Sequence, residues 1–115
     1  MTESFLRWCT WLCLFALAVL SEMPASHMVR TPASGWLEHV AAYSGTAFIA
    51  ACAYRTRCSL PAIAGALVGY AALLEILQTW SPGRTPSATD LFASSAGIVI
   101  GTLAAAVAGR RAPRR

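Results

Sequence analysis

The chain has 115 residues, 57% of them hydrophobic and only 12% charged, with a mean hydropathy of +0.55. A soluble domain carries about a quarter charged residues, so this balance excludes an ordinary soluble fold and leaves no length for a separate soluble domain. The formal charge is +4 and every basic residue is Arg, but no soluble face gathers them for phosphate contacts, so nucleic acid is excluded as a partner.

The first apolar segment runs from about Phe5 to Met23 and stops before Pro24. A cleavable signal peptide is its rival reading, but the following SEMPASHM is a poor small-x-small cleavage site, and a retained helix is expected. Pro24 to Gly35, with His27 and Arg30, reads as a loop. The second segment spans about Trp36 to Tyr54 and ends at Arg55 and Arg57. The third covers about Leu60 to Trp80, with Pro61 tolerated in its first turn. Pro82-Gly83 then reads as a turn with Gly where φ must be positive. The fourth segment runs from about Thr89 to Gly109, before a basic tail over 110–115. Each segment has the roughly 20 residues a bilayer crossing needs. The expected fold is all-α: one domain over residues 1–115, a membrane bundle of four transmembrane helices.

Arginines set the expected orientation. Arg7, Arg55, Arg57, Arg110, Arg111, Arg114 and Arg115 lie near the two termini and the middle connection, whereas the other connections hold only Arg30 and Arg84. The positive-inside rule then places both termini in the cytoplasm of a multi-pass cell-membrane protein. Cys9, Cys13, Cys52 and Cys58 show no C-x-x-C spacing and fall toward the reducing side. Neither a metal site nor a cofactor is expected from these spacings.

Small residues recur on the third segment at Gly65 and Gly69, and on the fourth at Ala93, Gly97, Gly101, Ala105 and Gly109. Such stripes let helix backbones approach closely in lipid, where hydrophobic attraction between helices is absent. The fourth segment is therefore expected to be central, packed against the third or against a second copy through Gly97 and Gly101.

Several polar residues stand out because an apolar span tolerates them poorly. Glu75 lies within the third segment, roughly 7 Å from its Trp80 end at 1.5 Å per residue. A carboxylate at such a place costs about 2.5–3.5 kcal/mol at mid-span even on the lenient insertion scale. Gln78 shares its face at i+3. Arg84 is placed to fold back on both and to pair with Asp90. Ser87-Ala-Thr-Asp90 matches the S-x-x-D capping pattern at the start of the fourth helix. On the second segment, His39 and Tyr43 share a face at i+4 and lie level with Glu75, while Glu38 points about 100° away. All these groups gather at the end away from the termini.

The run E-x-x-Q (Glu75, Gln78), P-G-R (Pro82 to Arg84), S-x-x-D (Ser87, Asp90) and G-x-x-x-G (Gly97, Gly101) resembles the signature of VanZ-like membrane proteins. His39 and Tyr43 match that family's H-x-x-x-Y, and the resemblance covers about Trp36 to Gly109. Three features depart from it. Gly35 and Trp36 stand where Asp-Lys is frequent, Ser94 where Asn is common, and the first helix matches only as an apolar span. The resemblance leaves Arg84 as the cation of the cluster. It implies a cell-envelope protein linked to resistance to the glycopeptide antibiotic teicoplanin, with no settled biochemical activity.

The site expected is His39, Tyr43, Glu75, Gln78, Arg84, Ser87 and Asp90, facing out of the cytoplasm and binding the headgroup of a lipid or lipid-linked cell-wall precursor. Two alternatives stand beside it. One is a membrane enzyme using Glu75 as acid or base, though no catalytic motif names a reaction or its catalytic residues. The other is a purely structural polar cluster that locks helices together.

Overall fold

The structure, a computed structural model, describes residues 2–24, 26 and 35–111. The expected loop around His27 and Arg30, and the tail beyond Arg111, lie outside the described residues apart from Pro24, Ser26 and Gly35, which opens the second helix. Among the described residues four α-helices follow one another: α1 (Glu3–Glu22), α2 (Gly35–Tyr54), α3 (Leu60–Leu77) and α4 (Ala88–Arg111). Their bounds fall within a few residues of those read from the sequence, because the signals that start and stop them are local. Thr2 caps α1, its hydroxyl accepting from Phe5 N at 3.3 Å, and Glu3 complements the dipole in the first turn. Met23 is extended, as the residue before a proline tends to be. Ser59 caps α3 in the same way, accepting from Ala62 N at 3.3 Å, with Pro61 in the first turn. A single 3-10 turn, Gln78–Trp80, extends α3. Arg84 N then donates to Ser81 O at 3.1 Å across a turn in which Gly83 has φ 74°, the type II geometry that Pro-Gly favours.

α1, α3 with its 3-10 turn, and α4 are long and apolar enough to cross a membrane, with mean hydropathies of 1.6, 1.9 and 2.0. α2 falls outside that set because Glu38, His39, Tyr43, Ser44 and Thr46 dilute its apolar content. It is also a well-buried helix, with Tyr43, Thr46, Ala47, Ala50, Ala51 and Ala53 all enclosed. α1 shows the opposite pattern. Only Thr10 is buried, and Trp8, Trp11, Leu12 and Phe15 point outward as a lipid-facing surface would require.

The closest pairing in the bundle joins α2 and α4, which run parallel. Gly97 sits on Val40 and Ser44, and Gly101 on Ser44, Ala47 and Phe48. A Cβ at Gly97 would stand 2.5 Å from the Val40 carbonyl oxygen, and one at Gly101 would collide with the Ser44 carbonyl. This corrects the expected partner. Gly97 and Gly101 of α4 meet α2 of the same chain, while α3 packs on α4 without its own glycines, Gly65 and Gly69 having nothing within 4 Å. The start of α1, the end of α2 and the end of α4 share one end of the bundle, where Thr56 Oγ1 donates to Glu3 Oε1 at 3.2 Å and Arg55 lies against Gly109.

Candidate functional site

At the opposite end, the last turn of α3 carries Glu75 into the interior, 7% exposed. Its Oε2 accepts from the backbone N of Ser87 at 3.0 Å. Ser87 is the residue before α4, and its own hydroxyl accepts from Asp90 N at 3.3 Å. In a self-contained capping box the acidic residue three places on would reach back to the Ser87 N–H. Here α3 supplies that carboxylate, and the Asp90 carboxylate is released from capping.

α2 closes the cluster. His39 Nε2 stands 4.0 Å from Glu75 Oε1, and Nδ1 lies 2.8 Å from the Gly35 carbonyl oxygen. A carbonyl only accepts, so Nδ1 carries a proton and donates. The His39 ring is stacked on Tyr43, with centroids 6.4 Å apart and planes 11° from parallel. Tyr43 is buried, as is Ser94 of α4. One ligand-type atom each from His39, Glu75 and Asp90 lie within 4.8 Å of one another, on three different helices. Spacing along the chain gave no sign of this set, because its members are 36 and 15 residues apart.

Gln78 and Arg84 go elsewhere. Gln78 is buried but donates Nε2 to Ser21 Oγ at 2.9 Å, and Arg84 Nη1 donates to the Met23 carbonyl at 3.1 Å. Ser81 Oγ donates to the Glu22 carbonyl at 2.7 Å. Ser81 and Arg84 thereby satisfy carbonyls that the end of α1 leaves unpaired. The expected Arg84–Asp90 salt bridge is not formed among the described residues, and the basic side chain within 4.0 Å of Glu75 is His39. Sequence reasoning missed Ser21 and the last carbonyls of α1, because that helix read as apolar packing only.

Beside the cluster lies a cleft of about 150 Å³. Leu17 and Leu20 of α1 and Ala42 of α2 form its apolar side, and Glu38, His39, Tyr43 and Arg84 its polar side. The cleft thus brings a guanidinium, an imidazole, a phenol and the Glu38 carboxylate against an apolar wall, with Glu75 and Asp90 behind His39.

A family model described as VanZ/LLP1 matches residues 8–109. The chain belongs to the VanZ/LLP1 family. The VanZ/LLP1 match begins at Trp8 and so takes in α1, further back than the motifs alone reach. That extension agrees with the structure, in which α1 supplies one wall of the cleft and the partners of Gln78, Ser81 and Arg84. Searches of curated proteins and of solved structures return no match.

Proposed function

We propose that this VanZ/LLP1 protein crosses the cell membrane four times, with both termini in the cytoplasm, and binds a phosphate-bearing headgroup in the outer cleft. The headgroup would belong to a membrane lipid or a lipid-linked cell-wall precursor, and its capture would alter susceptibility to teicoplanin. The observation that supports this reading is Arg84 and His39, with Glu38 beside them, facing an apolar wall across one small cleft. Arg is suited to phosphate, and the cleft of about 150 Å³ is smaller than the roughly 300–1,000 Å³ of sites for drug-sized ligands, so it suits a headgroup whose chains stay in lipid. α2 has 20 residues, long enough for the fourth crossing, and of its polar residues Tyr43 and Thr46 are enclosed and Glu38, His39 and Ser44 half-buried.

The test uses protein reconstituted in nanodiscs with anionic lipid or lipid-linked precursor. Arg84→Ala should lower retention of the anionic ligand at least about tenfold, in line with loss of a charge-assisted phosphate contact; unchanged retention would sink the reading. The side is tested separately. Thr85 is exposed next to the cleft loop, and Cys58 is exposed at the other end. In a background keeping only the thiol under test, Thr85→Cys should react with an impermeant thiol reagent in intact cells, and Cys58 only after permeabilisation. The reverse pattern would invert the topology.

A second reading has its own support. Glu75 joins α3 to the start of α4 through the Ser87 N–H, which is a structural role. Glu75→Gln keeps an acceptor there and removes the charge. A variant that folds normally but has lost headgroup binding favours the first reading, and one that folds and binds normally favours the second.

A further inference from the structure

We propose that His39 Nε2 and the carboxylates of Glu75 and Asp90 form a site for one divalent metal ion of the zinc or manganese class. Three acceptor atoms face one another there. With Nδ1 donating to the Gly35 carbonyl, Nε2 is the ring atom left to face Glu75 Oε1, at 4.0 Å, and in the neutral ring it would offer a lone pair there. Two acceptors turned toward each other need a cation between them. A proton shared by an imidazolium and a carboxylate would draw N and O to about 2.7–2.9 Å. The wider gap matches an ion better: donors held at about 2.0–2.2 Å from one metal lie roughly 3–4 Å apart. The spread of 4.8 Å across the three atoms closes to that with small rotations of the side chains.

The supporting shell has the form that metal sites require. A ligating histidine usually donates its other ring N–H to a carbonyl or carboxylate, which fixes the ring and its tautomer, and Gly35 does so here. Glu75 is buried, with Oε2 anchored on the Ser87 N–H and Oε1 turned to His39. Asp90 is available because Glu75 took over its capping duty. Two carboxylates so placed are costly in a membrane protein, and among the described residues neither is paired with an arginine. One imidazole and two carboxylates suit zinc or manganese better than a thiolate-seeking metal. Since His39 also lines the cleft, an ion there would give a phosphate a second positive contact beside Arg84. That last step alone rests on the headgroup reading.

The experiment uses the full chain in detergent, untagged, stripped with a chelator and titrated with Zn²⁺ and with Mn²⁺ in the absence of lipid. Calorimetry should show one saturable site, and the bound ion should raise the unfolding temperature. Asp90→Asn leaves the Ser87 cap in place and should weaken binding at least about tenfold; His39→Ala should do the same or more. No saturable binding by the folded wild type overturns the proposal. So does binding that both variants retain, the outcome expected if cysteine thiols at the other end held the metal. Metal binding that leaves phosphate-lipid retention unchanged would refute the coupling to the headgroup and leave the metal site standing. Lipid retention without metal binding would do the reverse.

Discussion

The two ends of the bundle use similar residue types to opposite effect. At the end bearing the termini, Arg7 Nη2 pairs with Glu3 Oε2 at 2.7 Å and its guanidinium lies over the Tyr54 ring, 5.6 Å from the centroid. Trp11 Nε1 donates to the Tyr54 hydroxyl at 3.0 Å, and Thr56 donates to Glu3. Acid there meets cation across α1, α2 and the connection after α2, with Arg7 Nε the one buried donor left without an acceptor among the described residues. At the other end, acid meets acid and imidazole, while the nearby arginine ties down the end of α1. A network whose charges are matched within the chain fastens helices. The convergence of His39, Glu75 and Asp90 is what the proposed metal ion would bridge.

The comparison breaks most severely if the seam holding both ends in place is opened. Gly101→Leu puts a side chain into the Ser44 backbone, and folded protein should disappear from the membrane fraction, whereas Gly69→Ala, with nothing within 4 Å, should leave abundance unchanged. Equal effects from the two would refute the α2–α4 seam. The next largest effect belongs to the buried end. Glu75→Ala leaves the Ser87 N–H without its acceptor and should cost about 1–3 kcal/mol in detergent unfolding, with Glu75→Gln closer to wild type. Smallest is the matched end. Glu3→Gln loosens a pair whose side chains are 48% and 24% exposed, so solvent screening holds its stability cost below about 1 kcal/mol, with no change in metal or headgroup binding. A larger loss from Glu3→Gln than from Glu75→Ala would reverse the contrast between the ends.

Much of the architecture was legible in the chain. The four helices, the Pro82-Gly83 turn and the Ser87 cap follow from apolar length, proline, glycine and serine acting over a few residues. Of the site residues, His39, Tyr43, Glu75, Ser87 and Asp90 gather as their level and helix faces suggested. Gln78 shares a face with Glu75 yet turns to Ser21, because α1 offers it a hydroxyl that no pattern in the apolar segment advertises. Arg84 misled for a related reason. It is near Asp90 in sequence, but the carbonyls at the end of α1 need donors, and its fork reaches one of them.

By itself the sequence determined where helices begin and end, that they form an apolar bundle, and which end collects the polar groups, because each depends on neighbours within a turn or two. Only the tertiary structure decided which helix received the glycines of α4, which carboxylate capped that helix, and that His39 would face Glu75 and Asp90. Periodicity specifies a face but not what lies opposite it. That choice falls to close packing: only α2 approaches Gly97 and Gly101 so closely, and this approach carries His39 toward the carboxylates.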